Sequence, residues 1–129
     1  KPTAPSRVSV MSVGAYTAYI DADGSRDNER DNVLGYRVLF APVQPDGSVS
    51  WDHPEFQDVY IGGEPYKLYD LVPGQTYKFR VATRTESGLS DWTQEYSLTT
   101  TASAASTLHS ALLIYVVTGI VFHLMRRFH

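Results

Sequence analysis

The sequence predicts an all-β fold: a seven-stranded antiparallel sandwich followed by a C-terminal membrane-type helix. Three observations lead there. Most of the first hundred residues alternate apolar and polar with the period of two that a half-buried strand requires. Turn signals interrupt that alternation at short intervals, as at Pro45-Asp46-Gly47 and Gly62-Gly63. After the small, patternless stretch TTTASAAS (residues 99–106) the alternation ends and a continuous apolar run begins. The chain is 43% apolar and rich in Tyr, Val and Thr, which suits pleated, half-buried surfaces.

The strands are expected in the following order. Val8, Val10 and Val13 mark the first, with Pro5 at its start as an edge strand allows. Tyr16, Ala18 and Ile20 share one face of the second. Leu34, Tyr36, Val38 and Phe40 share one face of the third, with Arg37 on the other. Val49 and Trp51 form a short fourth strand, and Tyr66, Leu68 and Leu71 a fifth. Tyr77, Phe79 and Val81 alternate with Lys78, Arg80 and Ala82 in the sixth, and Tyr96 and Leu98 lie in the last. These strands place a domain at residues 3–101, a linker at 102–107 and an apolar segment at 108–127.

The most specific local signal is LVPGQTYKFRV. A buried Leu71, a Pro73-Gly74 turn and a Tyr77 opening the next strand make a corner. The phenol of Tyr77 must bond backbone near that turn, because a buried hydroxyl without a partner is costly. With PSRVSV, VLGYRVLF, LYDLVPGQTYKFRVAT and the closing SLTT, the chain resembles a fibronectin type III domain over about residues 3–101. The resemblance implies an extracellular interaction module and no catalysis. One departure stands out: the family usually places a core Trp late in the second strand, where this chain has Ile20. The core there is expected to be repacked, with Trp51 or a tyrosine filling the space.

Composition excludes several chemistries. There is no cysteine, hence no disulfide, thiolate metal site or cysteine nucleophile. His53 lies in a loop and His109, His123 and His129 in the tail, without zinc-type spacing. No phosphate-cradling glycine loop and no Asn-x-Ser/Thr acceptor is present. Ahead of the tail, nine Lys and Arg face fourteen Asp and Glu, a balance that argues against a nucleic-acid partner. No cofactor, metal or enzymatic activity is expected.

The acidic stretch DADGSRDNERDN (residues 21–32) invites a calcium reading. Counted from Asp21, however, Gly24 falls at the fourth position and Asn32 at the twelfth, where an EF-hand needs Gly at the sixth and a bidentate acid at the twelfth. Arg26 and Arg30 can neutralise the acids without metal. The expectation is a charged loop joining the second and third strands, at the same end of the sandwich as Thr85–Asp91. Arg26, Arg30, Glu86 and Leu89 are the candidate protein-binding residues.

A second constellation is LSDWT, Leu89 to Thr93. Lys78, Arg80 and Arg84 face outward by parity, so Trp92 is expected to stack among them, each exposed cation–ring contact contributing about 0.5–1 kcal/mol. The pattern is similar to the WSxWS box of haematopoietic cytokine receptors, with Leu89 in place of the first Trp and Thr93 in place of the second Ser. Arg80 and Trp92 join Leu71, Pro73, Gly74 and Tyr77 as the expected structural residues.

From Leu108 to Met125 only His109, Ser110, Thr118 and His123 are polar. As a helix at ~1.5 Å per residue this run spans roughly 27 Å, enough for a thin hydrocarbon core. Leu112, Leu113, Ile114, Val116, Val117, Ile120, Val121 and Phe122 would face lipid, since no polar stripe separates from the apolar one. Arg126 and Arg127 close the run and favour the cytoplasmic side, leaving the sandwich outside in a single-pass, type I arrangement. The small residues Ala102–Ser106 ahead of the run also fit the attachment signal of a glycosylphosphatidylinositol (GPI) anchor. The partners expected are an extracellular protein ligand or neighbouring domains, and the lipid bilayer. A cytokine-type signalling receptor and an accessory domain of a secreted enzyme stand as the alternative classes, and the oligomeric state is open.

Overall fold

The computed structural model of the chain describes residues 2–24 and 32–103. They contain strands β1 (Arg7–Val13), β2 (Ala18–Asp23), β3 (Val33–Pro42), β4 (Glu55–Tyr60), β5 (Tyr66–Leu68), β6 (Thr76–Thr85), β7 (Gly88–Leu89) and β8 (Tyr96–Thr99). One sheet has the order β1-β2-β5. The other runs β4-β3-β6-β7, with β8 pairing β6 as well. All of these pairings are antiparallel. No helix occurs among the described residues, so the body is an all-β sandwich.

Alternation decides which side chains enter the space between the sheets. Val8, Ala18, Ile20, Tyr66 and Leu68 enter from the three-stranded sheet, and Tyr36, Val38, Phe40, Tyr77, Phe79 and Val81 from the five-stranded one. Each large side chain so buried contributes about 1.5–3 kcal/mol relative to exposure. Ile20 is fully buried where the family carries Trp. A tyrosine fills the space: Tyr66 is fully buried, and its ring meets Tyr36 edge-on at 5.6 Å between centroids. Its hydroxyl donates to Glu64 Oε1 at 2.7 Å, so the buried phenol is satisfied. Burial, reinforced by that carboxylate, pushes the Tyr66 phenol far above its ordinary pKa.

The tyrosine corner has its hydrogen bond. The Val72 backbone N–H donates to the Tyr77 hydroxyl at 2.8 Å, Leu71 is buried behind it, and Gly74 takes a left-handed φ of 64° that a side chain would resist. The chain that leaves β8 stays attached here. The Gly74 N–H donates to Thr101 O at 2.9 Å and the Thr101 N–H to Gly14 O at 3.0 Å, while Thr100 and Ser103 are buried.

Five sequence expectations fail locally: Leu71, expected in the fifth strand, lies beyond β5, which ends at Leu68, and the other four each have a structural reason. A bulge between Val10 and Ser12 breaks the register of edge strand β1, and Val10 stays exposed. Tyr16 precedes β2 and lies in the turn closed by the Gly14 N–H to Thr17 O bond. Leu34 sits at a register shift between Val33 and Gly35, which turns it out of the inward row. Trp51 is not in a strand; Val49 makes only an isolated bridge to Val43, and the fourth strand is Glu55–Tyr60.

Candidate functional site

Two surfaces carry the groups that can act on a partner: one end of the sandwich, and the outer face of the five-stranded sheet. At the end, Asn32, just ahead of β3, meets the β6–β7 turn. The Glu86 N–H donates to Asn32 O at 3.2 Å, and Asn32 Nδ2 donates to Glu86 Oε1 at 3.1 Å. Glu86 and Leu89 are both exposed there. Arg26 and Arg30 lie outside the described residues, as do the apolar residues of 108–127. Of the acidic stretch, Asp21 and Asp23 belong to strand β2 rather than to a loop; Asp23 pairs with Arg7, and the Asp21 carboxylate accepts from the Ala22 N–H at 3.0 Å. Among the described residues no group of three or more His, Cys, Asp or Glu converges as a metal site would require.

The outer face of the five-stranded sheet is built by register. Cα pairing aligns Tyr60, Gly35 and Arg84 in one row, Asp58, Arg37 and Ala82 in the next, and Phe56, Leu39 and Arg80 in a third. Arg37 grips Asp58 with two parallel bonds, Nε to Oδ1 at 2.8 Å and Nη2 to Oδ2 at 3.1 Å. Such a bidentate, charge-assisted pair fixes both side chains. The hydrogen bonds from Arg37, with Arg84 nearby, hold the Asp58 carboxyl below the ordinary carboxylate pKa against the opposing effect of burial. Arg84 reaches the same carboxylate only at 3.7 Å, longer than a hydrogen bond.

Aromatic rings cover these cations. Arg37 lies 4.5 Å from the Phe56 ring centroid, Arg84 5.3 Å from that of Tyr60, and Arg80 4.7 Å from that of Trp51. Glu95 completes the last group: its Oε1 accepts from Arg80 Nη2 at 2.8 Å and from Trp51 Nε1 at 3.1 Å. The ladder of outward cations on β6 is therefore real, but its indole is Trp51, folded back from the β3–β4 connection. Among the described residues no cation stacks on Trp92, which is partly exposed.

What LSDWT does is different. Between β7 and β8 the chain runs beside β6 with two hydroxyls standing in for backbone carbonyls. Thr83 N–H donates to Ser90 Oγ at 2.8 Å and Val81 N–H to Thr93 Oγ1 at 3.1 Å. In return Ser90 N–H donates to Thr83 O at 3.0 Å and Thr93 N–H to Val81 O at 2.9 Å. The Ser-x-x-Thr spacing carries this, and it keeps β6 paired along a stretch where regular strand is interrupted.

Sequence reasoning missed Phe56, Asp58 and Tyr60 because β4, EFQDVY, carries its rings on the outward face. Its alternation is inverted relative to a half-buried strand, so hydrophobic periodicity does not reveal it. The only signal lay in the complementary residues, since Arg37 and Arg84 were outward by parity and needed partners.

Two antiparallel sheets, a closed tyrosine corner and an outer face of paired charges and rings define a β-sandwich domain. Residues 3–99 match the family described as the fibronectin type III domain, and the chain belongs to that family. Among solved structures, the chain is similar to the third fibronectin III domain of the human KIAA0343 protein, at 21% identity and a TM-score of 0.62, with 80% of this chain and 85% of that one covered. It is similar to the fn3 domain of human contactin 1 at 14% identity and a TM-score of 0.62, covering 81% and 82%. The FN5 domain of Drosophila Lar matches at 17% identity and a TM-score of 0.59, covering 80% and 100%. At these identities the likeness is one of fold.

Proposed function

We propose that this chain is a membrane-proximal, extracellular protein-binding or spacer module of a cell-surface adhesion or receptor protein. The observation that carries the reading is the near-continuous apolar run Leu108–Met125, which follows the fibronectin type III domain within a few residues and ends at Arg126-Arg127. A helix of that length and polarity is stable in hydrocarbon and poorly soluble in water. Likeness in fold to a domain of contactin 1 supports the adhesion side of the reading. The sandwich is a scaffold that carries loops and a side-chain-rich sheet face, and function in such a fold resides in those surfaces.

The small residues Ala102–Ser106 favour a second form of the same reading, in which a GPI anchor replaces the apolar run. One experiment separates the two. The chain is expressed in cells with an epitope ahead of Lys1, and intact cells are stained before and after a phospholipase that cuts glycolipid anchors. Staining that survives the enzyme supports the spanning helix, and release supports the glycolipid. Epitope accessible only after permeabilisation overturns both.

A further inference from the structure

Among the described residues, Arg84 is a partly buried cation that the fold leaves incompletely served. Its side chain is only 20% exposed, its Nη1 is buried with no hydrogen-bond partner, and its nearest carboxylate is already held by both oxygens to Arg37. Buried polar groups are normally paired, and a guanidinium has five donors to satisfy. Over it lies the ring of Tyr60, itself 61% exposed. The residue between them in the row is Gly35, where the β4 backbone closes in so far that a Cβ would lie 1.9 Å from the Val59 carbonyl oxygen, so no side chain stands between the Tyr60 ring and Arg84. Leu89, exposed, pairs with Arg84 from β7, and Phe56, also exposed, lies two rows further along β4 over Arg37. Among the described residues, three cations of this face, Arg37, Arg84 and Arg80, form ion pairs with two carboxylates, Asp58 and Glu95, on a domain whose composition is acidic.

We propose that this face is the docking surface of the module, and that it takes a protein partner presenting an Asp or Glu side chain flanked by apolar residues. The partner's carboxylate pairs with Arg84 as Tyr60 turns aside, and its apolar neighbours pack on Phe56, Tyr60 and Leu89. The chemistry is that of interface hot spots, where arginine and aromatic side chains dominate and the charge pair is desolvated by a ring around it. Tyr60 acts as a removable cover: exposed on its outer side, it turns without unpacking the core. The inference rests on the protein-binding reading and specifies where and how that binding occurs.

The test uses the full chain reconstituted in lipid nanodiscs, with a phage-displayed library of random dodecapeptides as probe and empty nanodiscs as background. The expected peptides share a carboxylate beside aromatic or aliphatic residues. Changing that carboxylate to its amide, or substituting R84M in the chain, weakens binding at least tenfold. Y60A weakens it as well, and being at an exposed ring it keeps the test decisive if R84M does not fold. R84K, which keeps the charge and loses the planar fork, falls between. R7A, on edge strand β1 of the opposite sheet, leaves binding unchanged. Peptides that lack a carboxylate, or that bind R84M and Y60A as well as the unaltered chain, overturn the proposal. So does a heparin-derived dodecasaccharide that binds through Arg84 when no acidic peptide does. Peptides that depend on Glu86 and not on Arg84 overturn it while leaving the protein-binding reading intact; recovery of no peptide above background overturns both.

Discussion

Gly35 is the position where the sandwich tolerates a side chain least, and G35A measures how tightly β4 is bound to β3. A Cβ built there lies 1.9 Å from the Val59 carbonyl oxygen, 2.8 Å from its carbonyl carbon and 2.9 Å from the Tyr60 Cα. All three are backbone atoms, so no rotamer change relieves the clash. An ordinary contact begins near 3.4 Å, which requires the strands to separate locally by about 1.5 Å. Neighbouring strands sit ~4.8 Å apart, and such a separation breaks the nearest ladder hydrogen bonds. Two lost bonds cost about 0.5–1.5 kcal/mol each. Partial exposure of Val59, buried in the native fold, costs about 1 kcal/mol more. Stiffening of the unfolded chain by Ala returns about 0.4–1 kcal/mol. The net loss is about 2–3 kcal/mol, a fall in melting temperature of about 8–24 °C for a domain of this size. Urea unfolding followed by tyrosine and tryptophan fluorescence reads it directly, with G24A as control, since among the described residues its Cβ would meet only the Tyr36 hydroxyl at 3.4 Å. If G35A unfolds within about 0.5 kcal/mol of the unaltered chain, the close approach of β3 and β4 is wrong.

Four further outcomes are expected. Y77F removes the acceptor of the Val72 N–H and lowers stability by about 1–2 kcal/mol in the same urea assay. S90A leaves the buried Thr83 N–H without its 2.8 Å partner and costs about 1–3 kcal/mol, with amide exchange at Thr83 accelerated accordingly. I20W, which restores the residue usual in the family, destabilises by about 1–3 kcal/mol because Tyr66 already occupies the space. Acid titration carries a definite sign. Asp58 has a folded pKa below its unfolded value of about 3.9, so its stabilising contribution is complete above that pH and is lost as pH falls through the folded pKa. D58N flattens that part of the stability-versus-pH curve, and an unchanged slope below about pH 4 would contradict the Arg37–Asp58 assignment.

The fold was legible wherever inward residues alternate cleanly. Tyr36-Val38-Phe40 and Tyr77-Phe79-Val81 bury one face, while the charged residues between them on the other stay partly exposed, so register follows from hydrophobicity alone. The tyrosine corner was legible because a buried phenol beside a Pro-Gly turn has few places to send its hydrogen bond. Legibility failed where a bulge or an exposed ring disturbs the period. Val10 and Leu34 adjoin register shifts that no apolar count reveals. β4 hides because Phe56 and Tyr60 pack on guanidinium groups outside the core instead of on the core itself. The candidate surface was half visible for the same reason. The cations on β6 could be placed outward by parity, but their rings came from β4 and from the connection bearing Trp51, both distant in sequence. The hydroxyl ladder of Ser90 and Thr93 leaves no mark in the apolar pattern, because both residues are polar and flank Trp92, whose indole takes no cation among the described residues.

Fastening of the acidic sandwich to a bilayer by the apolar run beside it is the central proposal. Alkaline carbonate extraction of membranes from cells expressing the full chain, followed by flotation, tests this directly. The account predicts that the chain floats with lipid after extraction, and that replacing Ile114, Val117 and Val121 together by Lys abolishes flotation while the sandwich stays folded. Full recovery of the unaltered chain in the soluble fraction, as a folded monomer, would contradict it.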